Sequence, residues 1–165
     1  MPAVSNSSPL IYLSALQDLN LLHDLLGAIF IPAAVYREVV VDGKGRPGAS
    51  EVDQAVGDWI TLGDVADRLQ VNRLQSALGL QIGECEAIVL TGQLHIGTVV
   101  LDDRQAVREA EASTLTVVRT PALYLAAKRA GIIPQVKPKL DSLRSHGFRL
   151  RDEHYRAILQ RAGES

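Results

Sequence analysis

Short apolar segments alternate with segments of helical periodicity along most of this chain, and this alternation constrains the fold more than any other feature. Five of the short segments have the length and composition of buried strands. Repeated strand–helix–strand units predict a parallel sheet with helices on both faces. We therefore predict an α/β fold of three layers, α/β/α, with a mostly parallel central sheet. The predicted strands are Ala3–Ser5, Ala28–Ile31, Trp59–Leu62, Thr98–Leu101 and Leu115–Val118.

Apolar residues at helical spacing predict helices between and after these strands. The leucine-rich residues 10–26 predict two helices with a break near Asp18. Residues 33–40 could be helix or strand, because the valines favour extension and the alanines do not. Asp42–Ser50 is rich in glycine and is the clearest loop. Further helices are predicted at Glu51–Gly57, Val65–Leu78, from Gly83 onwards, and at Arg104–Ala112, Pro121–Ala130, Val136–Ser145 and Arg151–Arg161.

Length and composition are typical of one ordinary globular domain. The 165 residues are enough to bury a core without disulfides or structural metal. The single cysteine, Cys85, cannot form an internal disulfide, so a secreted disulfide scaffold is not expected. No basic N-terminal stretch precedes a long apolar run, and no apolar run reaches membrane-spanning length. We expect a cytoplasmic protein with no membrane partner.

The charges are unevenly distributed along the chain. The net charge is only −2, but the tail from Lys128 onwards has nine bases against four acids, and the rest has eight bases against fifteen acids. Most of the tail charges are expected on solvated helix faces, in a basic helical extension over residues 132–165. An acidic body with a basic tail can nevertheless bind cations in one place and phosphates in another.

Six oxygen-bearing side chains stand where a parallel sheet would bring them to one edge, because functional groups gather at the carboxyl ends of parallel strands. Hard cations such as Mg²⁺ or Mn²⁺ prefer oxygen ligands and need only one or two direct carboxylates. Two such ions about 4 Å apart can stabilise an in-line phosphoryl displacement. The six are Asn6 after the first strand, Asp102 and Asp103 after the fourth, Glu84 and Glu86 at the start of the preceding helix, and Glu38 after Pro32.

Each of these residues also has a purely local explanation. The two glutamates could stabilise a helix N-terminus electrostatically, and either aspartate could cap the helix that follows it. Asn6 could also be only a cap, and Glu38 could lie on a solvated face. Several acids that converge without a counter-charge are costly to fold, so their joint placement favours a metal site.

Other kinds of site fit the sequence less well. Gly43–Gly48 matches the Gly-x-Gly-x-x-Gly pattern of dinucleotide-binding turns, but Pro47 has no amide to donate to a phosphate. A flexible connector is the better interpretation, and no nucleotide cofactor is expected. The four histidines are scattered, and no Gly-x-Ser-x-Gly elbow is present. Cys85 lies between two glutamates, which disfavour its thiolate.

Four runs of sequence resemble motifs of the PIN-domain superfamily and occur in the same order as they do in that family. The closer resemblance is to an uncharacterised prokaryotic branch that has an Asn-Thr/Ser-Ser-Pro-Leu opening and a Gly-Glu-x-Glu-Ala motif, and the tail resembles that branch as well. The resemblance therefore covers nearly the whole chain. The four runs are Val4–Ile11, Ile31–Val39, Gly83–Ile88 and Val100–Arg104, and the tail segments are Gly131–Pro134, Lys137–Pro138 and Gly147–Phe148.

The resemblance implies a Mg²⁺- or Mn²⁺-dependent ribonuclease, often the toxin of a VapC-type toxin–antitoxin pair. RNA is then the expected substrate, an antitoxin protein a possible partner, and a homodimer the expected assembly, with the leucine face of the first two helices as a contact surface. The family's four acidic positions correspond to Asn6, Glu38, Glu84 or Glu86, and Asp103. Asp102 is an alternative or additional acid at the last position, and Ser8 matches a hydroxyl that supports the metal shell.

The departure from the family pattern is at the first acidic position. Asn6 stands where most active PIN nucleases have aspartate, and an amide offers an oxygen but no charge. Metal binding should therefore be weaker. Either the extra acids Glu86 and Asp102 compensate, or the protein is a non-catalytic module that binds RNA or a protein.

Overall fold

A five-stranded sheet forms the centre of the computed structural model, which describes residues 1–165. Every neighbouring pair of strands is parallel, and the central strand pairs on both sides, Val4 with Phe30 and with Val99. The predicted α/β class and parallel sheet are therefore confirmed. The strands are β1 (Ala3–Ser5), β2 (Ile29–Pro32), β3 (Ile60–Gly63), β4 (Thr98–Val100) and β5 (Thr116–Val118), in the order β3-β2-β1-β4-β5.

Ten α-helices flank the sheet, and one of them continues into a π-helical turn at Arg37–Val41. None of the helices combines the length and the apolar character that a membrane span requires. The helices are α1 (Ser7–Ala15), α2 (Asn20–Leu26), α3 (Ala33–Tyr36), α4 (Ala49–Ala55), α5 (Arg68–Leu78), α6 (Ile82–Gln93), α7 (Arg104–Ala112), α8 (Thr120–Arg129), α9 (Lys137–Ser145) and α10 (Asp152–Arg161).

Two apolar cores lie on opposite faces of the sheet. Successive strand residues point to opposite faces, so Ala3 and Val100 belong to one core while Val4 and Val99 belong to the other. The first core includes residues of α1, α2, α8, α9 and α10, and the second includes residues of α5, α6 and α7. Both faces are thus covered, which is the usual condition for a parallel sheet.

The leucines of α1 and α2, which the sequence offered as a surface for a dimer or an antitoxin, are largely used within the chain. Leu10, Leu13 and Leu22 are fully buried. They belong to the same core as Leu123 and Tyr124 of α8. The apolar periodicity of this region therefore reflects internal packing, and it does not by itself indicate a partner.

Residues 33–40, for which the sequence left helix and strand open, are helical, and the helical conformation continues to Val41. Val35 and Val39 lie four residues apart and are both buried, so packing against the core overrides the extended preference of valine. The π-helical turn inserts an extra residue per turn before the chain leaves the helix. Gly43 is required just beyond it, because a Cβ there would overlap the carbonyl oxygen of Val39.

The glycine pattern at residues 43–48 does not stand in a strand–turn–helix unit. It follows the π-helical turn rather than a strand, and Gly48, with φ of 101°, precedes the short helix α4. The structural context that gives this pattern its phosphate-binding meaning is therefore missing. The segment connects two helices, as the connector interpretation requires.

The end of the chain is tied to the body by one carboxylate. Glu164 accepts hydrogen bonds from Lys128 Nζ at 2.8 Å and from the amides of Val136 and Lys137 at 2.8 and 3.0 Å. Burial by itself would raise the pKa of Glu164, but the Lys128 ammonium group and the two amides lower it to about 2. The carboxylate thus joins α8 to the start of α9.

We predict that Glu164→Gln lowers the free energy of unfolding by about 1.5–3 kcal/mol at pH 7, because it removes hydrogen bonds to a charged group. A carboxyl group with a lowered pKa stabilises the fold above its ordinary pKa of 4.5, and this contribution is lost as the pH falls towards 2. Urea unfolding at several pH values checks this, with the exposed Glu153→Gln as control. An equal loss of stability at pH 7 and at pH 2 would contradict it.

Candidate metal centre

A cavity of about 520 Å³ opens at the carboxyl edge of the sheet, beside the ends of β1 and β4. The two strands are joined there by a hydrogen bond from the Asn6 amide to the Val100 carbonyl, 3.1 Å long. From this point the chain continues from β1 towards β2 and from β4 towards β5, on opposite sides. Such a switch point is where open α/β sheets bind ligands. The cavity lining includes five of the predicted site residues, Asn6, Ser8, Glu38, Glu84 and Asp103.

Asn6 occupies the N-cap position of α1, but its side chain makes no capping hydrogen bond. Its side-chain oxygen instead lies next to Gly83, where a Cβ would be 3.3 Å from Asn6 Oδ1 and 3.5 Å from Glu38 Oε2. The absence of a side chain at Gly83 therefore lets α6 approach two potential ligand oxygens. This observation favours a binding role for Asn6 over the capping role that its position in the sequence also allowed.

Glu38 lies on the π-helical turn and is exposed to solvent. Its Oε2 atom accepts a hydrogen bond from the Ser7 hydroxyl at 2.9 Å. No other protein group donates to this carboxylate. Ser7 at the start of α1 therefore holds one oxygen of Glu38 in place and leaves the other available.

Glu84 and Asp103 both stabilise the first turn of a helix. Glu84 Oε1 accepts from the Gln81 amide at 3.0 Å, in a capping box at the start of α6. Asp103 Oδ2 accepts from the amides of Gln105 and Ala106 at 3.1 and 3.0 Å, at the start of α7. The capping explanation is therefore correct for both residues. It leaves the second oxygen of each carboxylate without a protein donor, so capping and metal binding are compatible.

The three carboxylates of this cavity form no ion pair within the protein. No nitrogen of a lysine, arginine or histidine lies within 4.0 Å of Glu38, Glu84 or Asp103. Glu84 is only 8% exposed, and burial raises its pKa. The Gln81 amide lowers the pKa in part, while Asp103 and Glu38 raise it further. Like charges in a common cavity without a cation are what a bound metal ion would neutralise.

The donor set suits a hard divalent cation better than a soft one. The cavity is lined by carboxylate, amide and hydroxyl oxygens and by one imidazole, His146, with no thiolate and with room for water. No three His, Cys, Asp or Glu side chains are close enough to hold an ion by themselves. Magnesium usually binds through one or two carboxylates and keeps several waters, whereas structural zinc needs a closed set of four protein ligands. The residues present therefore fit Mg²⁺ or Mn²⁺ with water in the shell.

Glu86 does not line this cavity, although the sequence placed it among the candidate ligands. Its Oε1 accepts from the Ala34 amide at 3.0 Å, and its Oε2 accepts from Arg68 at 2.8 Å. Ala34 is in the first turn of α3, whose own N-cap residue, Pro32, provides no capping side chain. Glu86 thus accepts a hydrogen bond from a free backbone amide at the start of the helix that leads to Glu38. Its effect on the cavity is indirect.

Asp102 and Asp103 have different hydrogen-bond partners, although the two are adjacent in sequence. Its carboxylate accepts from the Thr120 amide at 2.8 Å and from the Thr120 hydroxyl at 2.6 Å. Burial raises the pKa of Asp102, while Thr120, Arg119 and Ser8 oppose that rise. Asp102 does not line the 520 Å³ cavity. It joins the end of β4 to the first turn of α8 and contributes to the wall of a neighbouring, larger cavity.

Sequence reasoning missed two residues that orient the carboxylates, Ser7 and Gln81. The spacing of Gln81 and Glu84 was a usable signal, because Gln-x-x-Glu before an apolar run resembles a capping box. Ser7 gave no such signal, since Glu38 is thirty-one residues away. The prediction for Cys85 agrees with the structure: burial raises its pKa to about 11, and the adjacent glutamates raise it as well.

Nearly the whole chain matches a known family. A family model of PIN domains, DUF3368, matches residues 2–164. A comparison with curated protein sequences finds no match. The family match covers the sheet, the cavity and both C-terminal helices, so its assignment does not depend on any single motif. The chain belongs to the PIN-domain family.

Proposed function

We propose that this protein is a divalent-metal-dependent ribonuclease that hydrolyses RNA phosphodiesters. PIN domains are generally nucleases that use divalent metal ions, which supports the coarse assignment. The observation that carries the proposal is the convergence of Glu38, Glu84 and Asp103 on one cavity without any cationic partner. These three carboxylates and the Asn6 amide oxygen would hold Mg²⁺ or Mn²⁺, one or two of them directly and the others through bound water.

The polar residues of the cavity that we discuss have distinct parts in the proposed reaction. A bound divalent ion supplies Lewis-acid chemistry, since it activates water and neutralises charge that develops on the phosphate. Glu84 and Asn6 form the buried floor, while Glu38 and Asp103 lie at the exposed rim where substrate enters. Ser7 and Gln81 keep the carboxylates oriented before substrate arrives, so less reorganisation is needed at the moment of reaction. Ser8, which lines the same cavity, would support the hydration shell.

A second function is favoured by one observation, the amide at Asn6. With a neutral side chain at this position, the protein could bind RNA or a protein partner without cutting it. The toxin role within a toxin–antitoxin pair and a homodimer belong to the nuclease proposal as its biological setting. Metal affinity separates the two functions, because a nuclease needs its ions and a binding module does not.

Asp103→Asn should reduce metal-dependent cleavage of RNA by on the order of 100-fold or more, because a preorganised charged group is lost from the reacting centre. The fold should remain intact, since asparagine can still accept the hydrogen bonds of Gln105 and Ala106 as an N-cap. Cleavage of a labelled RNA with Mn²⁺ and circular dichroism check both parts. The exposed Asp58→Asn is the matched control. Unchanged cleavage by Asp103→Asn would exclude this site.

Glu84→Gln should make the metal-free protein more stable and abolish its response to metal. A buried carboxyl group with a raised pKa destabilises the fold increasingly as the pH rises above its ordinary value, and glutamine removes that charge. Its carbonyl oxygen can still accept from the Gln81 amide.

The melting temperature in EDTA at pH 7 should therefore rise, by about 2–4 °C for each kcal/mol gained. Added Mg²⁺ should raise the melting temperature of the wild type only, because a ligand stabilises the state that binds it. A variant that melts lower in EDTA would contradict the destabilising effect of the buried charge, and one that still responds to Mg²⁺ would show that Glu84 is not a ligand.

Asn6→Asp should strengthen Mn²⁺ binding, roughly tenfold, because affinity for a hard cation increases with the charge of its ligands. Calorimetry on both proteins measures this, and RNA cleavage is measured in parallel. Metal-dependent cleavage by the wild type supports the nuclease proposal. Cleavage by Asn6→Asp alone would mean that the natural chain is a binding module. Equal affinities would contradict a ligand role for residue 6.

A further inference from the structure

A second cavity, of about 1000 Å³, opens directly from the metal centre. It shares Asn6, Ser8, Glu84 and Asp103 with the smaller cavity, so the two are continuous. Beyond these residues its walls come from the starts of α7 and α8, the segment 147–151, and α10. We call this part the basic groove, because its lining includes Arg104, Arg119, Arg149, Arg151, His154 and Arg161.

The arginines of the basic groove are mostly those that the fold leaves unneutralised. Arg104, Arg149 and Arg161 are exposed and have no acidic partner within 4.0 Å. Arg119 donates to the Asp102 backbone carbonyl, and Arg151 is 3.9 Å from Glu153. Four other bases of the tail are paired with acids at 3.0 Å or less, Lys128 with Glu164, Lys137 with Asp141, Lys139 with Asp18 and Arg144 with Asp152.

The groove also has apolar walls, which narrow the kind of nucleic acid that would fit. Val117, Pro121, Phe148 and Ile158 lie among the arginines. A duplex keeps its base faces stacked inside and presents mainly phosphates and sugars. A single strand presents phosphates to the arginines and can turn sugars and unstacked bases towards apolar groups. The mixture of unpaired cations and apolar surface in one concave groove therefore favours a single strand.

We propose that the basic groove binds the sugar–phosphate backbone of single-stranded RNA on one side of the bond to be cut. This proposal rests on the proposed ribonuclease function, because the groove leads into the metal centre. The strand would lie along α10 and the segment 147–151, with its scissile phosphate at Asp103 and Glu84. The acidic centre alone would repel a polyanion, and the adjoining arginines offset that repulsion.

The test measures RNA binding without cleavage, by fluorescence anisotropy in EDTA. The full chain is titrated against a labelled single-stranded RNA of about ten nucleotides and against the same RNA as a duplex, over a range of salt concentrations. The slope of the logarithm of the association constant against the logarithm of salt concentration measures the number of phosphate contacts. For Arg149→Gln/Arg161→Gln, we expect the magnitude of this slope to fall by about 1.4, or 0.7 for each lost phosphate contact. The loss of affinity should be on the order of 25-fold at 0.1 M salt and should shrink towards 1 M.

The matched control is Arg73→Gln/Arg129→Gln, which changes the net charge by the same amount. Both arginines are exposed, lie outside both cavities and have no acidic partner within 4.0 Å. Wild-type-like binding by the control and restored salt dependence in Arg149→Lys/Arg161→Lys would support a local phosphate contact. Equal losses in control and groove variants would overturn it, because general charge would then explain binding. Equal or tighter binding of the duplex would overturn the single-strand assignment.

The failure of this proposal can be distinguished from failure of the ribonuclease function. A wild type that binds RNA through the groove arginines but never cleaves it with Mn²⁺ supports the groove and contradicts the nuclease. Conversely, metal-dependent cleavage that is lost in Asp103→Asn but unaffected in Arg149→Gln/Arg161→Gln would support the nuclease and exclude the groove as its RNA site.

Discussion

The parallel pairing of β1 with β4 is the constraint on which the site depends. It joins residues almost a hundred positions apart and ends both strands at the same edge of the sheet, where Asn6 and Asp103 follow. Because the chain leaves these strands in opposite directions, no crossover helix covers the space between their ends. The helices α1, α6 and α7 begin around that opening and add their first-turn side chains to it. Any change in the β1–β4 register would move these groups relative to one another.

The carboxylates of the candidate metal centre all make structural hydrogen bonds. Glu84 and Asp103 each use one oxygen to satisfy amides at the start of a helix, and Glu38 uses one to accept from Ser7. These bonds orient the groups, yet they do not neutralise them. Burial raises the pKa of Glu84, and the charges of Asp103 and Glu38 raise it further. Stability is thus given up at the site, which is common where function requires charge in a buried place. Glu86 and Asp102 differ from these acids because donors of the protein engage both of their oxygens.

Much of the fold could be predicted from periodicity alone. All five strands lie within one or two residues of the predicted positions, because each is a short apolar run that ends at a polar or turn-forming residue. Residues 33–40 could not be assigned, since local preference divided between valine and alanine and the buried positions of Val35 and Val39 decided the outcome. The π-helical turn there also has no sequence signature. For the candidate site, the choice of residue types was predictable, but the partners of each side chain were not.

The sequence by itself determined the parallel α/β architecture, the family and the set of oxygen-bearing residues near the strand ends, because these depend on local periodicity and on short motifs. Only the tertiary structure decided which of those residues face one cavity. Adjacent residues such as Asp102 and Asp103 diverge because the first meets Thr120 of a distant helix and the second caps its own helix. Likewise, it decided that Lys128 and Lys139 of the tail pair with Glu164 and Asp18, which are distant in sequence. Contacts of this kind have no local signal, and three-dimensional packing alone creates them.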